Sequence, residues 1–267
     1  MIFVLYAALG VFVGTLAGVF GVGGGLIVVP VLIFSFKMQG VSPDIITHLA
    51  VGTSLATIVV TAIGSIITHH RKGTVVWPIF IYLVPGTLLG ATFGVFTGVS
   101  LKGETLQSAL GLFSMLVSIK MWFGWKSVGS DKHMSKIIIT VAGTVIGWVS
   151  SLFGIGGGSL NVPFLCRANV GMKHAIGTSA ACSLPIAATG SLVNIIMGMG
   201  DSSLPEWSTG FVYWPAFLGI ILTSVFFASI GAHLAHRFSA DKLQKFFSVF
   251  LFLVGIQFLW QNFPSEW

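Results

Sequence analysis

The chain has 267 residues, 55% of them hydrophobic and 7% charged, with a mean hydropathy of +0.97. Soluble domains carry about 25% charged residues, so this composition cannot cover a water-facing surface and excludes a soluble globular protein. The net charge of +6 arises from a shortage of acids, seven against thirteen bases, and reads as loop charge that orients a membrane protein, with no nucleic-acid partner implied.

In chain order, the stretches free of Asp, Glu, Lys and Arg are 2–36, 45–70, 73–101, 105–119, 137–166, 174–200, 207–236 and 246–265. A crossing helix needs about 20 apolar residues, so the sequence predicts an all-α polytopic membrane protein with about eight hydrophobic helical segments. The segment from 105 extends to about Gly124 if Lys120 snorkels. No Lys or Arg precedes Lys37, so the basic region of a cleavable signal peptide is missing and the first helix is expected to stay. The polar run KSVGSDKHMSK at 126–136 is the longest connection. It is expected to link a first transmembrane repeat, 1–125, to a second, 137–267.

Small residues recur every fourth position at Gly10, Gly14, Gly18, at Gly86, Gly90, Gly94, Gly98, and at Gly143, Gly147. That spacing lays glycine along one helix face, where a second backbone can approach closely. These stripes predict a compact bundle.

The chain also repeats itself. AGVFGVGGGLIVVPVL at 17–32 matches SSLFGIGGGSLNVPFL at 150–165, and AVGTS at 50–54 returns as AIGTS at 175–179. Gly64-Ser65 and Trp77-Pro78 return as Gly190-Ser191 and Trp214-Pro215. Four landmarks in one order mark an internal duplication, a pattern found in secondary transporters. An eight-crossing reading leaves the Lys and Arg of the two faces nearly balanced, while each half is strongly biased in opposite senses. Inverted halves explain this if the legs before and after each glycine run count separately.

Three glycines in a row cost about 1 kcal/mol each relative to Ala in a helix, and Pro30 or Pro163 follows. Both helices are therefore expected to break. Backbone freed at membrane depth must find a partner, and a helix restarting after the break offers unpaired N–H groups and a positive dipole end that suit an anion. The candidate substrate-binding residues are Gly23, Gly24 and Gly25, with Gly156, Gly157 and Gly158. The hydroxyls of Thr53, Ser54, Thr57, Thr178, Ser179 and Ser183 join them, since they can donate to an oxyanion without a fixed charge; each could instead bond back to a carbonyl one turn earlier. Ser159 and Asn161 stand where the first half has Leu26 and Val28, so the site is expected to be asymmetric.

No Asp or Glu lies deep within a span, which removes the usual carboxylate of a cation-coupled carrier. His48 and His233 are candidates for a proton relay. Cys166 and Cys182 are isolated and suggest neither disulfide, metal site nor cofactor; no GxSG or HExxH sequence suggests an enzyme. An anion channel and a carrier of another substrate class, such as a metal ion, remain as alternatives to an anion transporter. Bound to a neutral site, an anion makes a negatively charged carrier that an inside-negative potential drives outward.

These residues resemble the TauE/SafE sulfite-exporter family, also called the toluene-sulfonate-uptake permeases. The likeness rests on GVGGGLIVVP and GIGGGSLNVP, each followed by a GTS element, and on HHRKGTVVW at 69–77. It implies a multi-pass protein of the bacterial plasma membrane, surrounded by lipid, that moves sulfite, sulfonates or related small anions. The cysteine pattern expected of the related thiosulfate importers is missing.

Overall fold

A computed structural model describes residues 2–20, 25–123, 135–235 and 240–262. Apolar composition makes nearly every described segment helical, because a backbone in lipid must bond to itself. The order is α1 (Ile2–Phe20), α2 (Gly25–Met38), α3 (Pro43–Arg71), α4 (Trp77–Ser100), α5 (Gly103–Trp122), α6 (Lys136–Leu152), α7 (Gly158–Arg167), α8 (Met172–Met197), a hairpin of β1 (Ser208–Thr209) and β2 (Val212–Tyr213), then α9 (Trp214–Ala235) and α10 (Ala240–Gln261). Pro43–Arg71, Trp77–Ser100, Met172–Met197 and Gln244–Gln261 are long and apolar enough to cross a bilayer. Among the described residues the expected eight segments become ten helices, because the stretches 2–36 and 137–166 each hold a long helix and a short one.

The short helices turn back. At the end of the molecule that carries the β-hairpin, Gln39 just beyond α2 donates to the Tyr6 hydroxyl near the start of α1 (2.6 Å), and the rings of Tyr6, Phe36 and Tyr213 meet edge to face. So α2 returns to the end from which α1 departs. In the same way Leu165, late in α7, packs with Ile139 of early α6 and Leu83 of early α4 at the opposite end.

The remaining contacts fix the direction of every helix. Thr47 donates to the Gly103 carbonyl (3.1 Å) and Asn262 to the Glu104 carbonyl (3.2 Å), placing the starts of α3 and α5 and the end of α10 at the hairpin end. At the opposite end, Gln244 donates to the Met121 carbonyl (2.5 Å) and Lys136 lies over the Tyr82 ring. Helices α1, α3 and α5 thus run away from the hairpin end while α2 and α4 run toward it; in the second half α6, α8 and α10 run toward the hairpin end while α7 and α9 run away from it. The two halves run in opposite senses, as the charge pattern within each predicts.

The glycine stripes serve the packing read from the sequence. Gly10 and Gly14 of α1 face the backbone of Ile220 and Ser224 in α9, and Gly86, Gly90 and Gly94 of α4 face the carbonyls of Thr140, Thr144 and Trp148 in α6. Gly143 and Gly147 return the contact onto Leu83 and Thr87. In the α5–α10 pair, Gly111 lies against the Gly255 carbonyl and Gly255 against that of Gly111. The pairs α1–α9 and α6–α4 are therefore counterparts, and α5–α10 matches itself.

Charge separates by end, which corrects the near balance drawn from eight crossings. Because α7 returns to the end where α6 starts, Arg167, Lys173 and Lys245 join Arg71, Lys72, Lys120 and Lys136 there. The hairpin end holds Lys37 and Lys102 together with Asp44, Glu104, Asp201 and Glu206. In its loop, the hydroxyl and backbone N–H of Ser203 both donate to Asp201 Oδ1 (2.5 and 2.9 Å); these bonds hold that carboxyl below its ordinary range.

Candidate substrate site

The two glycine runs meet at the middle of the bundle. A methyl on Gly25, the first residue of α2, would lie 2.9 Å from Ile155 Cα and 3.0 Å from the Gly154 carbonyl, so the two broken helices touch backbone to backbone. Ile58, at mid-length in α3, lies beside both: its side chain is 3.1 Å from that point on Gly25 and 3.0 Å from the equivalent on Gly156. Gly23 and Gly24 lie outside the described residues.

Gly157 caps α7 in the left-handed region (φ +77°), where a Cβ is strained. A methyl there would sit 2.8 Å from Ile186 Cδ1, 2.9 Å from Asn161 Nδ2 and 3.3 Å from Ser150 Oγ. The chain needs glycine for its turn and again for the space that Asn161 and Ser150 face. Among the described residues, the amides of Gly156, Gly157, Gly158 and Ser159 donate to no carbonyl or side chain. They are the unpaired donors expected at a helix start.

Polar atoms without partners stand beside Gly157, on Asn161 and Ser150, at Ser159 in α7, and on α8 at Ser179, one turn before Ser183. Asn161 is fully buried, and neither its Nδ2 nor its Oδ1 has a hydrogen-bond partner; the hydroxyls of Ser150, Ser159 and Ser179 are also buried and unpartnered. An unmet buried donor or acceptor costs about 1–3 kcal/mol, so a group of them in one place is expensive unless something fills it. Ser183 Oγ lies 3.4 Å from the methyl position of Gly156, although its proton goes to the Ser179 carbonyl (3.0 Å).

The other predicted hydroxyls have structural duties. Thr53 accepts from the Tyr213 amide (3.0 Å) and Thr178 from the Val76 amide (2.9 Å), each the residue before a Trp-Pro helix start. Gly52 and Gly177 lie against Phe211 and Thr74, two residues farther back. Gly52 and Thr53, and likewise Gly177 and Thr178, thus form a clasp that ties α3 to the start of α9 and α8 to the start of α4. Ser54 donates to the Gly154 carbonyl (2.8 Å) and holds the second break from the first half. Thr57 bonds back to the Ser54 carbonyl (2.7 Å).

His48 stands apart from the break, near the hairpin end. Its Nδ1 lies 3.1 Å from the Asp44 carbonyl, and its Nε2 lies 3.1 and 3.2 Å from the carbonyls of Gly98 and Leu101. A void of about 10 Å³, bordered by His48, Gly94, Ser151 and Asn194, lies between it and the end of α6. His233 belongs to α9, with its side chain outside the described residues. Ser150 was missed by the sequence reading. Its signal was the pairing of SSLFGIGGG with AGVFGVGGG, where Ser150 replaces Ala17.

A set of amides, hydroxyls and one carboxamide, with no fixed charge, can hold a small oxyanion through charge-assisted hydrogen bonds. Among the described residues no three His, Cys, Asp or Glu side chains gather as a metal site would require. The sequence matches the family described as sulfite exporter TauE/SafE over residues 6–258. The chain belongs to that family. A probable membrane transporter protein of Haemophilus influenzae is 37% identical over 92% of this chain and 94% of its own length. Similar proteins of the same description occur in Methanocaldococcus jannaschii, 27% identical over 94% of this chain and 93% of the relative, and in Bacillus subtilis (YunE), 26% identical over 99% and 100%. No solved structure matches. Like the family, the chain is an integral multi-pass membrane transporter.

Proposed function

We propose that the chain is a secondary transporter of a small sulfur oxyanion, of the sulfite or sulfonate class, across the plasma membrane. The substrate is held at the second glycine break by the amides of Gly156 to Ser159, by Asn161 and by the hydroxyls of Ser150, Ser159 and Ser179. The observation that carries this reading is the group of buried, unpartnered donors gathered where two broken helices meet. The full burial of Asn161 and Ser150 suits an occluded state of an alternating-access cycle, with the inverted halves exchanging roles.

The proposed direction is outward. The excess of Lys and Arg at the end opposite the hairpin assigns that end to the cytoplasm under the positive-inside rule. An anion in a site without fixed charge is then driven out by the membrane potential, at about 2.3 kcal/mol per charge per 100 mV. In a Cys166→Ser background, an impermeant thiol reagent applied from outside should label a cysteine at Ser203 and spare one at Lys173 until the membrane is opened. The reverse pattern sinks the orientation.

Function is tested by sulfite counterflow in proteoliposomes, since saturable counterflow distinguishes a carrier from a channel. Gly157→Ala strains the left-handed turn and displaces Asn161, and a misplacement on that scale costs about a hundredfold. Flux should fall by that amount with folded yield retained. Wild-type sulfite flux that survives intact in this variant removes the second break from the transport path.

A further inference from the structure

We propose that the transported oxyanion is bound with one of its protons still attached, so that hydrogen sulfite, not the sulfite dianion, is the species recognised. This rests on the anion reading above, adds the protonation state of the ligand and narrows its class to sulfite over sulfonates, which carry no O–H at neutral pH. It starts from the inventory of Asn161. A carboxamide carries two N–H donors and one obligatory acceptor whichever way it is turned, and both ends of this one are buried without a partner.

A fully deprotonated oxyanion satisfies the Nδ2 donors and the α7 amides, but it presents only lone pairs to Asn161 Oδ1. That acceptor could then be met only by a serine hydroxyl turned toward it, which takes that donor away from the anion. An oxyanion that keeps an O–H closes the arrangement: its hydroxyl donates to Oδ1 while its charged oxygens accept from Nδ2, from the amides of Gly156 to Ser159 and from serine hydroxyls, which turn to suit either role.

Charge argues in the same direction. Among the described residues, the buried titratable side chains on α2, α3, α6, α7 and α8 are His48 and Cys182. The ring nitrogens of His48 face the carbonyls of Asp44, Gly98 and Leu101, and Cys182 lies among Leu83, Ile139, Leu165 and Ala175. His48 stands toward the hairpin end and a thiol carries no positive charge in either state, so among the described residues no cation lies at the break. The cost of stripping water from an ion rises with the square of its charge, so a site of neutral dipoles accepts a monoanion far more readily than a dianion. The proton then travels on the substrate, and a pH gradient acts on transport through the ligand without a histidine relay.

The experiment compares two ligands of equal charge and similar shape, using the full chain in proteoliposomes. Labelled sulfite uptake is measured at fixed total sulfite between pH 6 and pH 9, and methanesulfinate, which has a methyl in place of the hydroxyl and does not titrate in this range, is tested as competitor at each pH. The expected sulfite affinity follows the hydrogen sulfite fraction, falling about tenfold per pH unit once the ligand has lost its proton. Competition by methanesulfinate is expected to be at least about tenfold weaker than self-competition at low pH and flat with pH, which separates ligand titration from any titration of the protein. If sulfite is carried equally well at pH 9, or methanesulfinate competes as well as sulfite, the protonated-ligand inference is wrong while the anion site stands. If neither anion binds at any pH, the inference falls together with the anion reading.

Discussion

The two glycine breaks are built alike and equipped differently. Each ends a long helix, turns the chain back as a short helix with a proline inside it, and is followed by a helix bearing a GTS clasp. The break before α2 continues into Leu26 and Val28, which are 3% and 4% exposed and lie in the main apolar cluster. The break before α7 has Ser159 and Asn161 at those positions, and Ser150 where α1 has Ala17. The two halves share one scaffold, and the polar replacements at the break occur in one of them. The other half contributes surface: Gly25 and Ile58 press on the second break, and Ser54 holds the Gly154 carbonyl.

The comparison breaks most sharply if the polar residues can be exchanged. Asn161→Val copies the first half into the second and removes donors from a charged ligand, worth about 1.5–3 kcal/mol or roughly one to two decades in affinity. Sulfite affinity should fall by that amount, while thermal stability holds or rises because an unmet buried amide is gone. Undiminished affinity would make Asn161 a structural residue. The reciprocal Val28→Asn places an unmet carboxamide in the apolar cluster and should destabilise the protein by about 1–3 kcal/mol, read as a lower melting temperature, with no gain in flux. An increase in sulfite affinity from Val28→Asn would show instead that both breaks are working sites.

A smaller effect sharpens what the halves share. Thr53→Val and Thr178→Val each strip an acceptor from a backbone amide, that of Tyr213 or Val76, and each should cost about 1 kcal/mol of stability. The two losses should be similar because the clasps are counterparts, and sulfite affinity in the surviving folded protein should not move. A tenfold loss of affinity in both variants would return these threonines to the substrate site.

How legible each feature was follows from how far apart its partners lie. The asymmetry at Ser159 and Asn161 could be seen by aligning two stretches of the chain, because it is a difference in residue type at matched positions. The fate of the hydroxyls could not. Thr53 and Tyr213 are 160 residues apart, Thr178 and Val76 are 102 apart, and Ser54 and Gly154 are 100 apart. A threonine written as GTS looks the same whether its oxygen meets a ligand or the amide of a distant loop.

The amino-acid sequence by itself determined that this is a duplicated, all-helical membrane protein broken at two glycine runs, because hydropathy, charge spacing and helix-breaking are properties of short windows. Only the tertiary structure decided that α2 and α7 turn back, since a glycine run permits continuation or reversal alike and packing chooses between them. That reversal gathers the basic residues at one end, sets the halves in opposite senses and brings Gly25 against Gly154 and Ile155. It also separates hydroxyls that are satisfied by distant backbone from the buried few that are not, because a hydrogen bond is settled by which atoms meet in space.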